Sequence, residues 1–471
     1  MKIARLIHPG FWFDKTPLSE AITLAKKGVG GFCIYGGTRE QIKHFTQSVR
    51  AASPTPLLIS ADYEDGLGRW VSDAELLPSN LALGAANDEN LSFEKGLLTA
   101  RQAKSLGVDW VFAPVVDLAD NPLNPIVNTR SFGEDSSLVT RLASAFMKGL
   151  SQGGVLNSLK HFPGHGDTQT DSHLALPLLN KTLKELRSKE LIPFQQLLPF
   201  ADSVMIGHLL FPHLDPDSPA SLSKILIGEL LQKEMGFTGC VITDALLMKA
   251  LGDEKQAAWK ALQAGAHILL APEEPFALLD FLEEKNISQE ILSLSEKIQI
   301  DLCQKASQVL PLCEKEAFAP NNLAYKTAQK ALVQTGTFPI LKSGEEVHYI
   351  EVGHSPAVSA ELFLNTLIQN GIQVKKWDGK ADKLMILCFR RYQAFQGKIA
   401  LEEEDVSLAR KAAEQAKESV FVAFASPWAA KNVPQAKSTL LTFSPASAFQ
   451  ILAAKVLLGE KTAEGTLPFS K

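Results

Sequence analysis

The chain has 471 residues, 21% charged side chains and a net charge of −5. This length allows about two or three domains. The acidic balance and the lack of any Arg/Lys run argue against a nucleic-acid-binding surface. No apolar stretch reaches the roughly 18 residues of a membrane span, so no membrane partner is expected.

The cysteines and the N-terminal segment predict a cytoplasmic protein. The five cysteines are odd in number and widely spaced, unlike a disulfide framework or a four-ligand zinc site. The first residues, MKIARLIHPGFWFDK, contain an apolar run that is too short for a signal-peptide core and is interrupted by Arg5 and His8. We therefore expect a reducing compartment, with neither a metal ion nor a cofactor bound.

Short apolar runs recur through the first 270 residues and predict parallel strands that are covered on both faces. They lie at 3–7, 30–35, 56–60, 109–113, 155–160, 203–207, 240–243 and 267–271. Segments of helical period separate them, at 17–27, 39–52, 90–106, 137–152, 182–199, 223–235 and 255–264. This alternation predicts an α/β fold, a (β/α)₈ TIM-type barrel.

A second α/β domain is predicted after the barrel. Residues 275–318 have a helical pattern, and the Pro and Asn residues of 317–327 are typical of a linker. We place the barrel at 1–320 and the smaller C-terminal domain at 321–471. The sequence does not indicate a role for that domain, although Arg390 and Arg391 follow a predicted strand and could reach a ligand.

Polar side chains follow strand after strand of the predicted barrel. Catalytic groups of such barrels gather at the C-terminal ends of the strands, so a ring of polar residues there predicts a site. Its members would be Asp62, Asp117, Arg130, Lys160, His161, His208 and Asp244.

The segment 160–177, KHFPGHGDTQTDSHLALP, is the most informative stretch, and we call it the histidine loop. Its glycines and prolines disfavour a helix. A metal site is one interpretation of its histidines, but their H-x₃-H-x₇-H spacing is not a common ligand pattern; a plain surface loop is another. We favour an acid/base pair, because the Asp171 carboxylate beside His173 would raise the imidazole pKa and suit it to give and then take a proton.

The histidine loop resembles the pattern K-H-[FI]-P-G-H-G-x₄-D-[ST]-H of bacterial β-N-acetylglucosaminidases in glycoside hydrolase family three. The resemblance implies that His173 is the acid/base and that Asp171 is its partner. It also implies that Lys160 and His161 contact sugar hydroxyls.

A second motif is GCVITDALLMKA at 239–250, where a strand ends in Asp244. Taken alone, this Asp could be a helix N-cap. The stretch resembles the family's T-D-A-L-x-M pattern, which implies that Asp244 is the nucleophile. A carboxylate that forms a covalent glycosyl-enzyme gives retention of configuration.

Further sugar contacts are implied by weaker matches to the family. ADYEDGLGRW matches its D-x-E pattern at Asp62 and departs from it afterwards, where Arg69 is displaced by one position from the family's second arginine. The resemblance implies a sugar contact for both residues. NTRSFGED implies a sugar contact for Arg130. Asp62 as a turn residue and Arg130 as a loop salt-bridge residue are the alternatives. Asp117 is interpreted as a brace for the loops, and His208 as either pocket wall or core.

These observations predict a retaining exo-β-N-acetylglucosaminidase that removes terminal non-reducing β-linked GlcNAc. The expected substrates are peptidoglycan or muropeptide fragments, or chitobiose-like glycosides, and the enzyme would be a monomer or a homodimer. The alternatives are a β-glucosidase, a GlcNAc phosphorylase and a non-catalytic sugar-binding protein.

Overall fold

The structure is a computed structural model that describes residues 2–172, 174–354, 358–391 and 397–470. The predicted acid/base His173 lies outside the described residues.

The described part of the first domain forms a closed barrel of short parallel strands. Their bounds are β1 Ile7–His8, β2 Gly10–Trp12, β3 Gly31–Tyr35, β4 Leu58–Ala61, β5 Trp110–Val111, β6 Ser158–Phe162, β7 Ser203–Ile206, β8 Cys240–Thr243 and β9 Leu269–Leu270. The sheets β2-β3-β4-β5, β6-β7-β8 and β1-β9 are joined by the bridges Trp110↔Leu156 and Ile242↔Ile268. Because β1 and β2 together fill one strand position, the barrel has the eight positions of the predicted TIM-type fold.

The first strand differs from its prediction at 3–7. Residues Ala4–Leu6 form a 3₁₀ turn, and the strand is divided into β1 and β2 at Pro9. Proline has no N–H to donate to a neighbouring strand. Its carbonyl still accepts a hydrogen bond from the Cys33 N–H at 2.9 Å, so β2 continues along β3 while β1 pairs with β9.

Helices surround the barrel. They are α1 Leu18–Lys27, α2 Arg39–Ala52, α3 Asn80–Ala86, α4 Glu89–Ser105, α5 Ser136–Gln152, α6 Leu183–Ser188, α7 Leu191–Leu197, a π-helix Ile225–Glu234, α8 Glu254–Ala264, α9 Pro275–Glu283, α10 Gln289–Ser307 and α11 Glu314–Ala317. The predicted helix at 182–199 is interrupted after Ser188, because Pro193 cannot donate to the carbonyl of Lys189 as a continuous helix requires. Among the described residues, no helix has the length and apolarity that crossing a membrane requires.

The C-terminal part is an α/β layer built on a six-stranded sheet. Its helix α12 Leu323–Ala331 begins inside the stretch that was predicted to be a linker. The sheet order is β10-β15-β14-β13-β11-β12, and β10 alone pairs antiparallel within this described sheet. The elements are β10 Val333–Gly336, β11 Glu346–Val352, α13 Glu361–Gln369, β12 Gln373–Lys376, β13 Ala381–Cys388, α14 Glu403–Gln415, β14 Ala416–Ala423, β15 Ser438–Leu441 and α15 Ser447–Leu457.

The second domain packs against the mouth of the barrel through α3. Leu81, Ala82 and Ala85 of this helix belong to the same hydrophobic core as the six-stranded sheet. The Ser79 hydroxyl donates to the Phe443 carbonyl at 2.8 Å. These contacts bring the loops that follow β13 and β14 close to the C-terminal ends of the barrel strands.

Candidate active site

An open cavity with a volume of about 150 Å³ lies at the C-terminal ends of the barrel strands. Its wall includes a group of polar residues and a group of aromatic residues. The first comprises six predicted site residues, Asp62, Arg69, Arg130, Lys160, His161 and Asp244. The second is aromatic: Trp12, Tyr35 and Trp70.

Four of the charged side chains, Asp62, Glu64, Arg130 and Lys160, form what we call the ion-pair cluster. The Lys160 ammonium lies 2.7 Å from the Asp62 carboxylate and 2.6 Å from that of Glu64. The Arg130 guanidinium donates two hydrogen bonds to Glu64, at 2.8 and 2.7 Å. Glu64 is therefore the hub that joins the end of β4 to the end of β6.

Burial and mutual attraction have opposite effects on the charges of the cluster. Burial alone would raise the pKa of Glu64, but the charges of Arg130 and Lys160 outweigh it and hold the pKa well below its usual value. Burial would likewise lower the pKa of Lys160, yet the carboxylates of Asp62 and Glu64 raise it. Glu64 and Lys160 are thus kept ionised despite their burial, and Asp62 is the more exposed of the two carboxylates around the ammonium.

The aromatic wall is attached to the cluster. The Trp70 indole N–H donates to the Asp62 carbonyl at 3.1 Å. Tyr35 stacks on Trp12 at a ring distance of 4.9 Å and meets the edge of Trp70 at 5.3 Å. An apolar wall beside fixed polar groups is the usual composition of a small-molecule site.

Asp117 braces the histidine loop, as the sequence predicted. Its carboxylate accepts hydrogen bonds from the backbone N–H groups of His161 and His165, at 3.1 and 2.7 Å, and lies 2.6 Å from His161 Nδ1. Burial would raise the Asp117 pKa, but the neighbouring His161 lowers it overall. The other imidazole nitrogen of His161 lies 3.4 Å from the Arg130 guanidinium, so the loop and the ion-pair cluster are in contact.

Asp244 follows β8 directly and faces the cavity. Its backbone N–H donates to the Ile206 carbonyl at 3.0 Å, and its carboxylate accepts from the Ala245 N–H at 2.8 Å. The helix N-cap alternative does not hold, since the next α-helix, α8, is capped by Asp253. The carboxylate is therefore positioned by a strand end and a turn.

Asp171 is buried and contacts the second domain. Its carboxylate accepts a hydrogen bond from the Gly397 N–H at 3.1 Å. Its neighbour Ser172 lines the cavity and lies 3.1 Å from the ring of His165, whose pKa burial lowers to about 4. The pairing of Asp171 with His173 remains a prediction.

Two predicted sugar contacts have different surroundings. Arg69 lines the cavity and pairs with Asp65 at 3.9 Å. His208 is fully buried and is not brought to the cavity wall. Its ring nitrogens contact the Ser221 hydroxyl at 2.8 Å and the Ala245 carbonyl at 3.1 Å, so it borders the turn that holds Asp244.

Sequence reasoning missed two features of the site. It noted Glu64 as part of a D-x-E pattern without giving it a role; a carboxylate two residues after a strand-end Asp was the available signal. It also missed Trp12, the last residue of β2, and Trp70, which follows a 3₁₀ turn, because no local pattern separates an aromatic residue of a pocket wall from one of the core. Among the described residues, no group of three or more His, Cys, Asp or Glu side chains could hold a metal ion.

Residues 1–301 match the model of the glycosyl hydrolase family 3 N-terminal domain, so the chain belongs to this family of glycoside hydrolases. It is 33% identical to a β-hexosaminidase of Idiomarina loihiensis over 258 residues, which cover 52% of this chain and 77% of the relative. It is also 33% identical over 318 residues to a β-hexosaminidase of Mannheimia succiniciproducens, covering 64% and 88%.

Solved structures with both domains are similar over the whole chain. A family 3 β-N-acetylglucosaminidase from Paenibacillus sp. str. FPU-7 superposes with a TM-score of 0.85 at 25% identity, covering 100% of this chain and 98% of that one. A β-glucoside phosphorylase gives 0.89 at 22% identity, with 100% and 93% covered, and at that identity it supports the fold alone.

Proposed function

We propose that the chain is a retaining exo-β-N-acetylglucosaminidase that hydrolyses terminal non-reducing β-linked GlcNAc. The observation that carries this proposal is the common cavity of Asp244 and the ion-pair cluster. A carboxylate that could act as the nucleophile and charged groups that could bind hydroxyls thus line the same cavity. The similarity to β-hexosaminidases at 33% identity supports the choice of an N-acetylhexosamine.

The ion-pair cluster would bind and orient the sugar. Lys160 offers only donors, while Asp62 offers only acceptors, so together they can hold neighbouring hydroxyls in one orientation. Arg130 and Glu64 are already paired with each other and keep both groups in place. Such a fixed arrangement lowers the entropic cost of orienting the substrate.

In the first chemical step, a carboxylate oxygen of Asp244 attacks the anomeric carbon. A covalent bond forms between them while the bond from that carbon to the leaving oxygen breaks. His173 gives its proton to the leaving oxygen, which departs as an alcohol. The Asp171 carboxylate would orient the imidazole and favour its protonated form.

In the second step, water attacks the same carbon and its proton passes to the now neutral His173. The bond to Asp244 breaks and the carboxylate is regenerated. Two inversions leave the sugar with its original β configuration. We further propose that Asp244, His173 and Asp171 act in these roles on peptidoglycan-derived fragments in the cytoplasm, as the resemblance of the histidine loop implies.

The test compares Asp244→Ala with Asp14→Ala, which removes an exposed carboxylate outside the cavity. Hydrolysis of p-nitrophenyl β-GlcNAc should fall on the order of 10⁴-fold in the first variant and stay at the parent rate in the second. Parallel assays of the parent chain with the β-glucoside, with and without phosphate, address the alternative substrates. Equal or faster turnover of the glucoside, or full activity of Asp244→Ala, would contradict the proposal.

A further inference from the structure

A second, smaller recess opens where the two domains meet beside the cavity. It is narrow, with a cavity volume of about 20 Å³, and its polar wall includes Asp65, Arg69, Thr129 and Arg391. Arg69 lines both spaces, so the recess adjoins the sugar cavity. Arg391 comes from the second domain, three residues after β13.

The recess collects more positive than negative charge. Asp65 already lies 3.3 Å from the Lys95 ammonium and 3.9 Å from the Arg69 guanidinium. Arg391 faces the same two groups, the like charge of Arg69 and the opposite charge of Asp65. Among the charged residues that the structure describes in the wall of the recess, one carboxylate, Asp65, accompanies two guanidinium groups, Arg69 and Arg391.

Arg391 also carries a buried donor that no described residue accepts. Its Nε–H is buried and has no hydrogen-bond partner among the described residues. Burial lowers the pKa of Arg391, and the charge of Arg69 lowers it further. Buried donors without a partner are uncommon, and a guanidinium pair that converges from two domains matches the planar oxygens of carboxylate or phosphate.

We propose that Arg69 and Arg391 form an oxyanion subsite, which binds a carboxylate or phosphate next to the sugar. The inference rests on the proposed function for its role in the reaction. The subsite would give the second domain a role in ligand binding, because that domain supplies Arg391, one of its two guanidinium groups. Two sources of the anion share this chemistry: a substituent carried by the substrate, or free phosphate that replaces water as the acceptor.

Calorimetric titration with inorganic phosphate tests the subsite without requiring turnover. The parent chain should bind phosphate, and Arg391→Gln should bind at least about tenfold more weakly, as expected for the loss of a charged hydrogen bond. Arg410→Gln removes an exposed arginine of the same domain and should bind like the parent. No binding by the parent, or equal binding by Arg391→Gln, would overturn the proposal.

Arg391→Lys keeps the charge but loses the fork of donors, so its affinity should lie between those of the parent and the Gln variant. It serves as the second variant if Arg391→Gln does not fold. If Arg391→Lys bound phosphate as tightly as the parent chain does, recognition by a guanidinium would be contradicted.

Two reactions then identify the source of the anion: hydrolysis of an anionic disaccharide, and phosphorolysis with free phosphate. The first experiment compares the hydrolysis of GlcNAc β-linked to a sugar that bears a carboxylate with that of the methyl ester of the same disaccharide. A tenfold preference for the acid in kcat/KM that Arg391→Gln abolishes assigns the subsite to the substrate. Release of GlcNAc 1-phosphate that depends on Arg391 assigns it to acceptor phosphate. If neither reaction depends on Arg391, the subsite has no part in the chemistry and the proposal fails.

Hydrolysis of p-nitrophenyl β-GlcNAc involves no anionic substituent and keeps the two proposals separable. A parent chain that binds phosphate but does not cleave this glycoside would contradict the proposed function. A parent chain that cleaves it but does not bind phosphate would contradict the subsite.

Discussion

The two sides of the cavity are held in place by different parts of the molecule. On one side, the ion-pair cluster is held by contacts of 2.6–2.8 Å between barrel residues. On the other, Asp171 accepts a hydrogen bond from Gly397 of the second domain at 3.1 Å. The residues proposed to bind the sugar are therefore held by the barrel alone, whereas the predicted acid/base side depends on both domains. If the two sides differ in this way, substitutions on them should have different consequences.

The largest effect is expected on the acid/base side. His173→Ala should slow substrates with poor leaving groups by about 10²–10⁴-fold, because acid assistance is worth that much where the leaving oxygen is basic. Activated aryl glycosides need less assistance and should be slowed less. The measurement is kcat/KM for an alkyl and a nitrophenyl β-GlcNAc.

His213→Ala serves as the control, since this histidine is exposed and does not line the cavity. Its rates should match the parent on both substrates. Equal losses for both substrates in His173→Ala would rule out an acid role.

On the barrel side, Glu64→Gln should lower the free energy of unfolding by about 3–5 kcal/mol, because Arg130 and Lys160 lose a buried counter-charge. Asp73→Asn breaks the exposed pair with Arg39 at 3.0 Å and should cost no more than about 1 kcal/mol. Urea denaturation of both variants gives the two values. If both variants lost a similarly small free energy of unfolding, Glu64 would not be central to the stability of the ion-pair cluster.

The histidine loop should make stability depend on pH. Burial lowers the pKa of His165 from 6.5 to about 4, so the unfolded chain takes up this proton first as the pH falls. The neutral ring therefore contributes its full stabilisation, about 3 kcal/mol, above pH 6.5 and loses it between about pH 6.5 and 4.

His165→Asn should accordingly show a shallower fall of the unfolding free energy over that range, by the equivalent of one proton. Urea titrations at several pH values between 7 and 4 measure the slope. A variant with the slope of the parent chain would contradict the buried, neutral state of His165.

The smallest effect is expected at the aromatic wall. Trp70→Phe keeps an aromatic ring but loses the donor to the Asp62 carbonyl. One neutral hydrogen bond is worth about 1 kcal/mol, so KM should rise about fivefold, with a smaller change in kcat. Steady-state kinetics on the aryl glycoside provide the test, and a loss confined to kcat would refute a binding role.

The barrel was predictable because its strands are continuous apolar runs, and every strand position after the first lies near its predicted range. The first strand was misplaced, since the apolar run IARLI looks like a strand until Pro9 and its two different neighbours are considered. The short helix α3 was not foreseen either. Three of its apolar residues, Leu81, Ala82 and Ala85, pack against the second domain, and no local pattern indicates a packing partner that lies far along the chain.

The site shows the same limit. Motifs after strand ends predicted the six cavity residues because barrel geometry gathers strand ends at one mouth. The contact between Gly397 and Asp171 joins residues 226 positions apart. The hub role of Glu64 arises from Arg130 and Lys160, which reach it from two other segments. Such convergence depends on tertiary packing, which a single sequence does not display.

The proposed mechanism requires a covalent bond between Asp244 and the sugar. Incubation with an activated 5-fluoro GlcNAc analogue, followed by proteolysis and mass spectrometry, tests for this bond directly. We expect a single glycosylated peptide that contains Asp244 and that is absent from Asp244→Ala. A label on another residue of the active parent chain, or turnover of the analogue with no covalent adduct, would contradict it.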